Sequence, residues 1–380
     1  MNILEPSEAV SIADTIYDVI TEQDFSEVFK QNIKDKFQIE NGRRFEGVAG
    51  AMLLRYKSGF GVIAKGKGEF EGDVLLAIRG TDDFVKDLLL TDLNIGVQPT
   101  STGMTVHAGF NKVFNSFKKD IERYFEQNNA RRVHCVGHSL GGGLATLAAD
   151  WLSHNKIAQP VLYTFGSPRV GGSNFTQRLT SRIGAGNIYR VYHKTDIVSM
   201  IPLWPFTHVP QPGNDCFIDS SGIPGVTFHK MAAYDNSVSK SSWELLRVPR
   251  TNTDSDKEIE LWLGSTSPLM LTYHSMTMVN RAIMYLLKKI LYATGIGIQA
   301  NITTGLTMLD RLAMLLEKGA RAAIEIKSYV EALMQRVLSM MNAAIKVAKD
   351  ITVEFIRWVL IRLTQTIYTM AKMALQVVHR

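Results

Sequence analysis

The chain has 380 residues, 46% of them hydrophobic and 21% charged, a composition typical of a globular protein with a sizeable core. Its two cysteines, Cys135 and Cys216, stand far apart and exclude both a disulfide framework and a cysteine metal motif, so we expect no metal and no cofactor. The formal net charge is +6, of which residues 296–380 contribute five, and without a nucleic-acid motif this basicity favours acidic lipid or a protein partner over nucleic acid.

The N-terminal residues lack the basic start and long apolar core of a signal peptide, so we expect synthesis in the cytoplasm and any export by a route other than general secretion. Residues 1–40 contain helical spacing over 7–37, which we interpret as packing. Strands are predicted near 51–56, 61–64 and 74–78. Further along, helices are predicted at 110–125 and 140–152, and they alternate with strands predicted at 133–136, 161–165 and 188–192. This alternation predicts a mostly parallel sheet with helices on both faces and catalytic groups at the carboxyl ends of its strands.

The most informative stretch is Gly137-His138-Ser139-Leu140-Gly141, between the predicted strand 133–136 and the helix that follows. A serine on a sharp strand-to-helix turn lies so close to the neighbouring backbone that its flanking side chains must be minimal, and glycines meet that need. The helix N-terminus favours negative charge developing there. Ser139 is therefore the predicted nucleophile, and the alternative is a glycine-rich turn with an incidental serine.

Five sequence blocks, taken in order, resemble the fungal-type (class 3) lipase family of α/β-hydrolases. They are Ile78-Arg79-Gly80-Thr81, Val106-His107-Ala108-Gly109-Phe110, the glycine-rich turn at 137–142, Thr164-Phe165-Gly166-Ser167-Pro168-Arg169-Val170-Gly171, and 196–202, which has Ser199 where a proline is usual. The resemblance implies an α/β-hydrolase that cleaves carboxylic esters of glycerolipids, as a triacylglycerol lipase or a phospholipase A. A lipase without a signal peptide also resembles bacterial antibacterial phospholipase effectors exported by contact-dependent machines.

An ester hydrolase of this fold needs an acid and a base after the nucleophile, in the order Ser, Asp, His. Asp196 follows a predicted strand and matches the acid position of the family, although it could simply cap a loop. Four histidines follow it: His208, His229, His274 and His379. His274 is preferred as the base because it directly precedes an amphipathic run that reads as the last helix of the fold. His229 is the runner-up, and His138 is expected to pack beside the site.

The resemblance also implies an oxyanion hole and a lid. The oxyanion donors would be the Leu140 backbone N–H and Thr81. Residues 82–94 would form a mobile lid whose apolar face includes Phe84, Leu88 and Leu89, so lipid is the expected substrate phase. The alternative is that this amphipathic stretch packs against the protein core and does not act as a lid.

Residues 1–294 are predicted to form the hydrolase domain, and 295–380 a helical C-terminal extension. The uncharged stretch 290–309 is too rich in polar residues and glycine for a transmembrane span and reads as a linker. The helices after it are expected to turn near Asp350 and to form a bundle or to contact a membrane. A rival interpretation is a helical membrane-binding or pore-forming protein with a hydrolase-like targeting domain.

Overall fold

The fold is given by a computed structural model. It describes residues 2–18, 29–39, 44–49, 56–80, 96–211, 213, 215–220, 222, 224–225, 227–247, 256–295, 307–341 and 351–376. The chain divides into two compact units. The first comprises Met1–Thr91, Val97–Arg250 and Ala371–Arg380, and the second comprises Asp92–Gly96 and Thr251–Met370.

The first unit is built on an eight-stranded sheet whose central strands are parallel. A second, four-stranded sheet lies in the same unit. The strands of both sheets, in chain order, are β1 (Phe37–Gln38), β2 (Arg44–Ala49), β3 (Tyr56–Gly66), β4 (Asp73–Ile78), β5 (Val97–Pro99), β6 (Thr105–His107), β7 (Arg132–His138), β8 (Gln159–Phe165), β9 (Gly171–Gly172), β10 (Ile188–His193), β11 (Phe206–Thr207) and β12 (Cys216–Ile218). The large sheet has the order β1-β3-β4-β7-β8-β10-β12, with β2 paired to β3, and a small second sheet has the order β11-β9-β6-β5. Strands β4, β7, β8, β10 and β12 are each parallel to the next strand in this series, whereas β3 pairs antiparallel with β4, β1 and β2.

The register of these parallel strands brings three loops to one edge of the sheet. Ile78 pairs with Gly137, His138 with Phe165, and Phe165 with Val191, so β4, β7, β8 and β10 end at nearly the same level. Because carboxyl ends of neighbouring parallel strands meet at one edge, the residues after β7, β8 and β10 can share a site there.

Helices cover this sheet because their apolar faces need a partner. Those of the first unit are α1 (Pro6–Thr15), α2 (Gln31–Lys36), α3 (Ala108–Gln127), α4 (Leu140–His154), α5 (Ser173–Ile183), α6 (Met231–Val238) and α7 (Trp243–Leu246). All six residues of β4 are buried, as in a strand covered on both faces. The mostly parallel sheet with helices is thus as predicted, whereas β2 was missed and residues 51–55 of one predicted strand lie outside the described residues.

The second unit is helical. Its helices are α8 (Asp256–Gly264), α9 (Tyr273–Thr294), α10 (Met308–Ala322), α11 (Ile324–Met340) and α12 (Val353–Gln376), the last of which is assigned to the first unit from Ala371 onward. The buried side chains of α10 include Leu312 and Leu316, and those of α11 include Val330 and Leu333, as the apolar spacing of the tail predicts. None of the helices in the described ranges combines the length and apolarity needed to cross a bilayer.

Two features of this unit differ from the sequence expectation. The boundary between units falls after Arg250 rather than after Thr294, so α9 lies in the helical unit. The helical tail also breaks at Ala323, whose extended backbone (φ −151°, ψ 137°) separates α10 from α11. Neither glycine nor proline marks this break, and so the sequence does not signal it. The expected turn at Asp350 lies outside the described residues.

Candidate active site

Ser139 occupies the sharp turn between β7 and α4. Its backbone is in a left-handed region (φ 56°, ψ −131°), a conformation that costs a residue with a side chain about 1–3 kcal/mol. A Cβ on Gly137 would lie 2.4 Å from the carbonyl oxygen of Gly141, and a Cβ on Gly141 would lie 2.3 Å from the carbonyl oxygen of Ile78. Both glycines are therefore required by close backbone approach, as the sequence argument proposes, and the surrounding structure holds the strained serine in place.

His229 lies beside this serine. Its Nε2 is 3.0 Å from Ser139 Oγ, and its Nδ1 is 2.9 Å from Asp196 Oδ2. The Asp196 carboxylate is oriented in turn by the backbone N–H of Val198, which donates to Oδ1 over 2.9 Å. With Nδ1–H donating to the carboxylate, Nε2 is free to accept the serine proton, which is the arrangement of a nucleophile, a general base and an orienting acid.

The three hydrogen-bonded side chains are all shielded from water. Ser139 is 2% exposed, and His229 and Asp196 are fully buried. Removal of water strengthens hydrogen bonds and charge interactions, so the aspartate can hold the imidazole orientation more firmly than a surface carboxylate could.

The expectation that His274 is the base is corrected. His274 is exposed and lies in the first turn of α9, in the helical unit, whereas the position beside Ser139 is filled by His229. The helix that follows the base in the structure is α6, which comes after the short 3-10 turn Thr227–His229 and precedes the four-residue α7. Because α6 has only eight residues, it gives no strong periodic signal in the sequence.

Tyr234 of α6 is a further member of the site that the sequence did not reveal. Its hydroxyl donates to Asp196 Oδ2 over 2.6 Å, so this oxygen accepts from both the tyrosine and His229. Burial and the negative charge of Asp196 raise the pKa of Tyr234 well above its ordinary value. The phenol is therefore neutral near pH 7, where it serves as a hydrogen-bond donor.

Gly166 makes room for this cluster. It follows β8 with a positive φ of 56°, and a Cβ there would lie 2.5 Å from Asp196 Oδ2 and 3.0 Å from His229 Nδ1. Gly166 lies within the block Thr164–Gly171, and the resemblance assigns no role to this glycine. The physical reason for the glycine, contact with the acid and the base, becomes visible only in the fold.

His138 supports the site from the other side, as expected, and is not positioned as the base. Its Nε2 is 2.9 Å from the backbone carbonyl oxygen of His229, and its Nδ1 is 2.9 Å from the Tyr17 hydroxyl. An Nε2–H that donates to the carbonyl leaves Nδ1 to accept from the tyrosine. Tyr17, just after α1, thereby connects the N-terminal region to the backbone of the base.

Of the two predicted oxyanion donors, Leu140 lies in the described part of the chain and Thr81 does not. Leu140 is the first residue of α4, where a backbone N–H has no acceptor within the helix and remains available for an oxyanion. Thr81 and the lid residues Phe84, Leu88 and Leu89 lie outside the described residues, and their roles stay predictions. Within the part of the chain that the structure describes, no group of three or more His, Cys, Asp or Glu side chains could hold a metal ion.

The sequence of the sheet and its loops matches a known family. Residues 75–206 match the family model described as lipase (class 3). This segment belongs to the class 3 lipase family. Together with the parallel sheet and the serine turn at its edge, this match confirms the α/β-hydrolase fold.

Several proteins are similar to part of the chain. Phospholipase A1-II 1 of Oryza sativa is 30% identical over 201 residues, 44% of this chain and 50% of that protein. Toxin TseL of Vibrio cholerae is 34% identical over 132 residues, 33% of this chain and 20% of the toxin. The secreted mono- and diacylglycerol lipase 1 of Fusarium solani is 33% identical over 136 residues, 34% of this chain and 39% of that lipase. The chain thus spans half or less of each of these relatives.

Solved lipase structures are similar as well. The lipase from Rhizopus microsporus var. chinensis matches with a TM-score of 0.40 and 24% identity, over 58% of this chain and 74% of that chain.

Proposed function

We propose that the protein is a serine hydrolase that cleaves carboxylic esters of glycerolipids. The observation that carries the proposal is the buried chain Ser139–His229–Asp196 at the carboxyl edge of the sheet. These three groups fill the roles of nucleophile, general base and orienting acid in acyl transfer through a serine.

In this mechanism His229 Nε2 takes the proton of Ser139 as Oγ attacks the ester carbonyl carbon. The Leu140 N–H, with Thr81, would stabilise the oxyanion of the tetrahedral intermediate. Collapse of the intermediate breaks the bond to the alcohol, which leaves with the proton from His229, and an acyl-Ser139 ester remains. Water, deprotonated by His229, then releases the fatty acid and restores the serine, while Asp196 keeps the imidazole oriented in both steps.

Glycerolipids are proposed as substrates because the similar proteins are named phospholipase A1 and mono- and diacylglycerol lipase. The test is a lipid-class screen in which mass spectrometry identifies the products of wild type and Ser139→Ala. Wild type should release fatty acid from phospholipid or acylglycerol, and Ser139→Ala should be at least ~10³-fold slower. Full activity in Ser139→Ala would refute the role of this serine.

A lid at residues 82–94 is part of the same proposal. If Phe84, Leu88 and Leu89 cover the acyl site in water, the rate should rise abruptly when the substrate passes from monomers to an interface. Smooth saturation through that concentration would argue for an open esterase.

We further propose that the protein is an antibacterial effector exported by a contact-dependent route and that it contacts membrane or a protein partner through residues 296–380. The similarity to a protein named toxin TseL supports the effector proposal. Wild type directed to the periplasm of a susceptible bacterium should stop its growth, and Ser139→Ala should not. If Ser139→Ala were equally toxic and permeabilised liposomes, the rival membrane-permeabilising function would be favoured.

A further inference from the structure

Exposed apolar side chains gather at one end of the helical unit, where α9 ends and α10 passes into α11. Tyr292 is 78% exposed, Ile324 87% and Leu291 45%. We call these three residues, with Lys318 and Arg321 beside them, the helical tip. Single exposed apolar residues are ordinary on a protein surface, but a cluster of them marks a contact surface.

Buried contacts show that the three helix ends meet. A Cβ on Gly319 would lie 2.3 Å from Ile290 Cγ1 and 3.1 Å from Ile326 Cγ2, so α10 runs against both α9 and α11 at this level. Lys289 Nζ also lies 2.7 Å from Glu325 Oε1. Residues 291–292 and 321–324 directly adjoin these contacts and therefore belong to one end of the bundle.

The charges around the tip favour an anionic surface. Residues 288–295 and 317–328 contain five lysines and arginines against two glutamates. Lys289 pairs with Glu325, Arg321 with Glu317, Lys288 with Asp256 and Lys327 with Glu331, so that the local excess is one positive charge once Asp256 and Glu331 are counted. Exposed pairs of this kind stay solvated and leave this excess effective within a Debye length. An aromatic residue with a polar end and a flanking set of lysines is the composition of side chains at the lipid–water boundary.

The size of the patch also favours lipid over a folded partner. Three side chains expose at most a few hundred Å² of apolar surface, whereas a stable protein interface covers about 800 Å² on each partner. A bilayer needs no matching surface, because apolar side chains enter its interfacial layer individually.

We propose that the helical tip docks the enzyme on an anionic bilayer by inserting Tyr292 and Ile324 at the lipid–water boundary. The inference rests on the proposed function, since it specifies how the chain meets the surface that holds its glycerolipid substrate. The whole basic tail need not lie on the membrane; insertion at one end of the bundle suffices.

The experiment measures vesicle binding in a Ser139→Ala background, so that lipid is not consumed. Full-length protein is sedimented with vesicles of phosphatidylglycerol and phosphatidylethanolamine, or of phosphatidylcholine alone. Tyr292→Ser with Ile324→Ser should weaken binding to the anionic vesicles roughly tenfold or more. The matched control, Leu261→Ser with Met270→Ser, removes two exposed apolar side chains of the same unit, of which Met270 lies just before the start of α9 whereas the tip lies at its end, and it should leave binding unchanged.

Insertion itself can be read from a fluorophore. Cys135 and Cys216 are fully buried, and burial raises the pKa of the Cys216 thiol to about 12, so an Ile324→Cys substitution offers the thiol that reacts. A polarity-sensitive dye at 324 should shift to the blue with anionic vesicles, and the same dye on Leu261→Cys should not. Lys318→Gln should weaken binding about fivefold at low salt and less at high salt.

Failure of this proposal and failure of the proposed function give different results. If the tip variants bind anionic vesicles as well as the control while wild type still cleaves a soluble ester, the tip proposal is overturned and the hydrolase stands. If tip-dependent binding is found but wild type cleaves no ester, the hydrolase proposal fails instead. A concentration-dependent dimer that Tyr292→Ser with Ile324→Ser abolishes would assign the tip to a second copy of this chain and would overturn docking on lipid.

Discussion

Replacement of His229 by alanine separates the geometry of the site from the sequence expectation. The substitution removes the imidazole whose Nε2 is 3.0 Å from Ser139 Oγ and whose Nδ1 is 2.9 Å from Asp196 Oδ2. Without it the serine loses the hydrogen-bonded base that takes its proton. The loss of a histidine base from such a chain costs about 10⁴- to 10⁶-fold in kcat, or ~5–8 kcal/mol of transition-state stabilisation.

The same substitution should cost stability, because it leaves a buried carboxylate with fewer partners. Asp196 keeps the hydrogen bonds from Tyr234 and from the Val198 N–H but loses the one from the imidazole. A lost hydrogen bond to a buried charge and the space left by the ring together cost about 2–4 kcal/mol of the free energy of unfolding. The variant is therefore assayed well below its thermal midpoint, with folding checked by circular dichroism.

His274→Ala is the matched control. His274 is exposed, and a substitution at such a surface position changes the free energy of unfolding by at most about 0.5 kcal/mol. Hydrolysis of a short soluble ester should be unchanged. A deep loss of activity in His274→Ala, or more than a tenth of wild-type kcat in folded His229→Ala, would refute the assignment of the base.

Three further predictions follow from contacts in the hydrolase unit. Gly141→Ala should prevent folding of the serine turn, because its Cβ would lie 2.3 Å from a backbone oxygen, whereas Gly186→Ala, whose Cβ meets nothing within 4 Å, should fold and hydrolyse ester normally; soluble yield and thermal midpoint compare them. Tyr234→Phe should lower the free energy of unfolding by about 1–3 kcal/mol in urea titrations, since a buried hydrogen bond to a carboxylate is lost, and a stability equal to wild type would contradict that contact. Burial lowers the pKa of His107 to about 4, and its Nδ1 accepts from the Gly109 N–H, so the folded state resists a proton that the unfolded chain takes up near its pKa of about 6.5. The free energy of unfolding should therefore fall as the pH drops from about 6.5 to 4, by ~3 kcal/mol in total from this group, and His107→Gln should reduce that slope while exposed His154→Gln should not.

The sequence alone determined the serine turn and the sheet behind it. A buried apolar strand, two glycines and a helical face are local features, and each obeys a rule that acts within a few residues. Ser139 and the strand–helix alternation were therefore predictable, and so was Asp196, which lies three residues beyond the end of β10.

Only the tertiary structure decided which histidine completes the site and which residues support it. His229 meets Ser139 across 90 positions of sequence, and Tyr234 meets Asp196 across 38, contacts that depend on how a short helix returns to the edge of the sheet. A strong amphipathic pattern indicates that a helix buries one face, but it does not indicate which part of the protein that face packs against. For that reason His274 was a plausible base in the sequence, although the helix that it begins belongs to the helical unit.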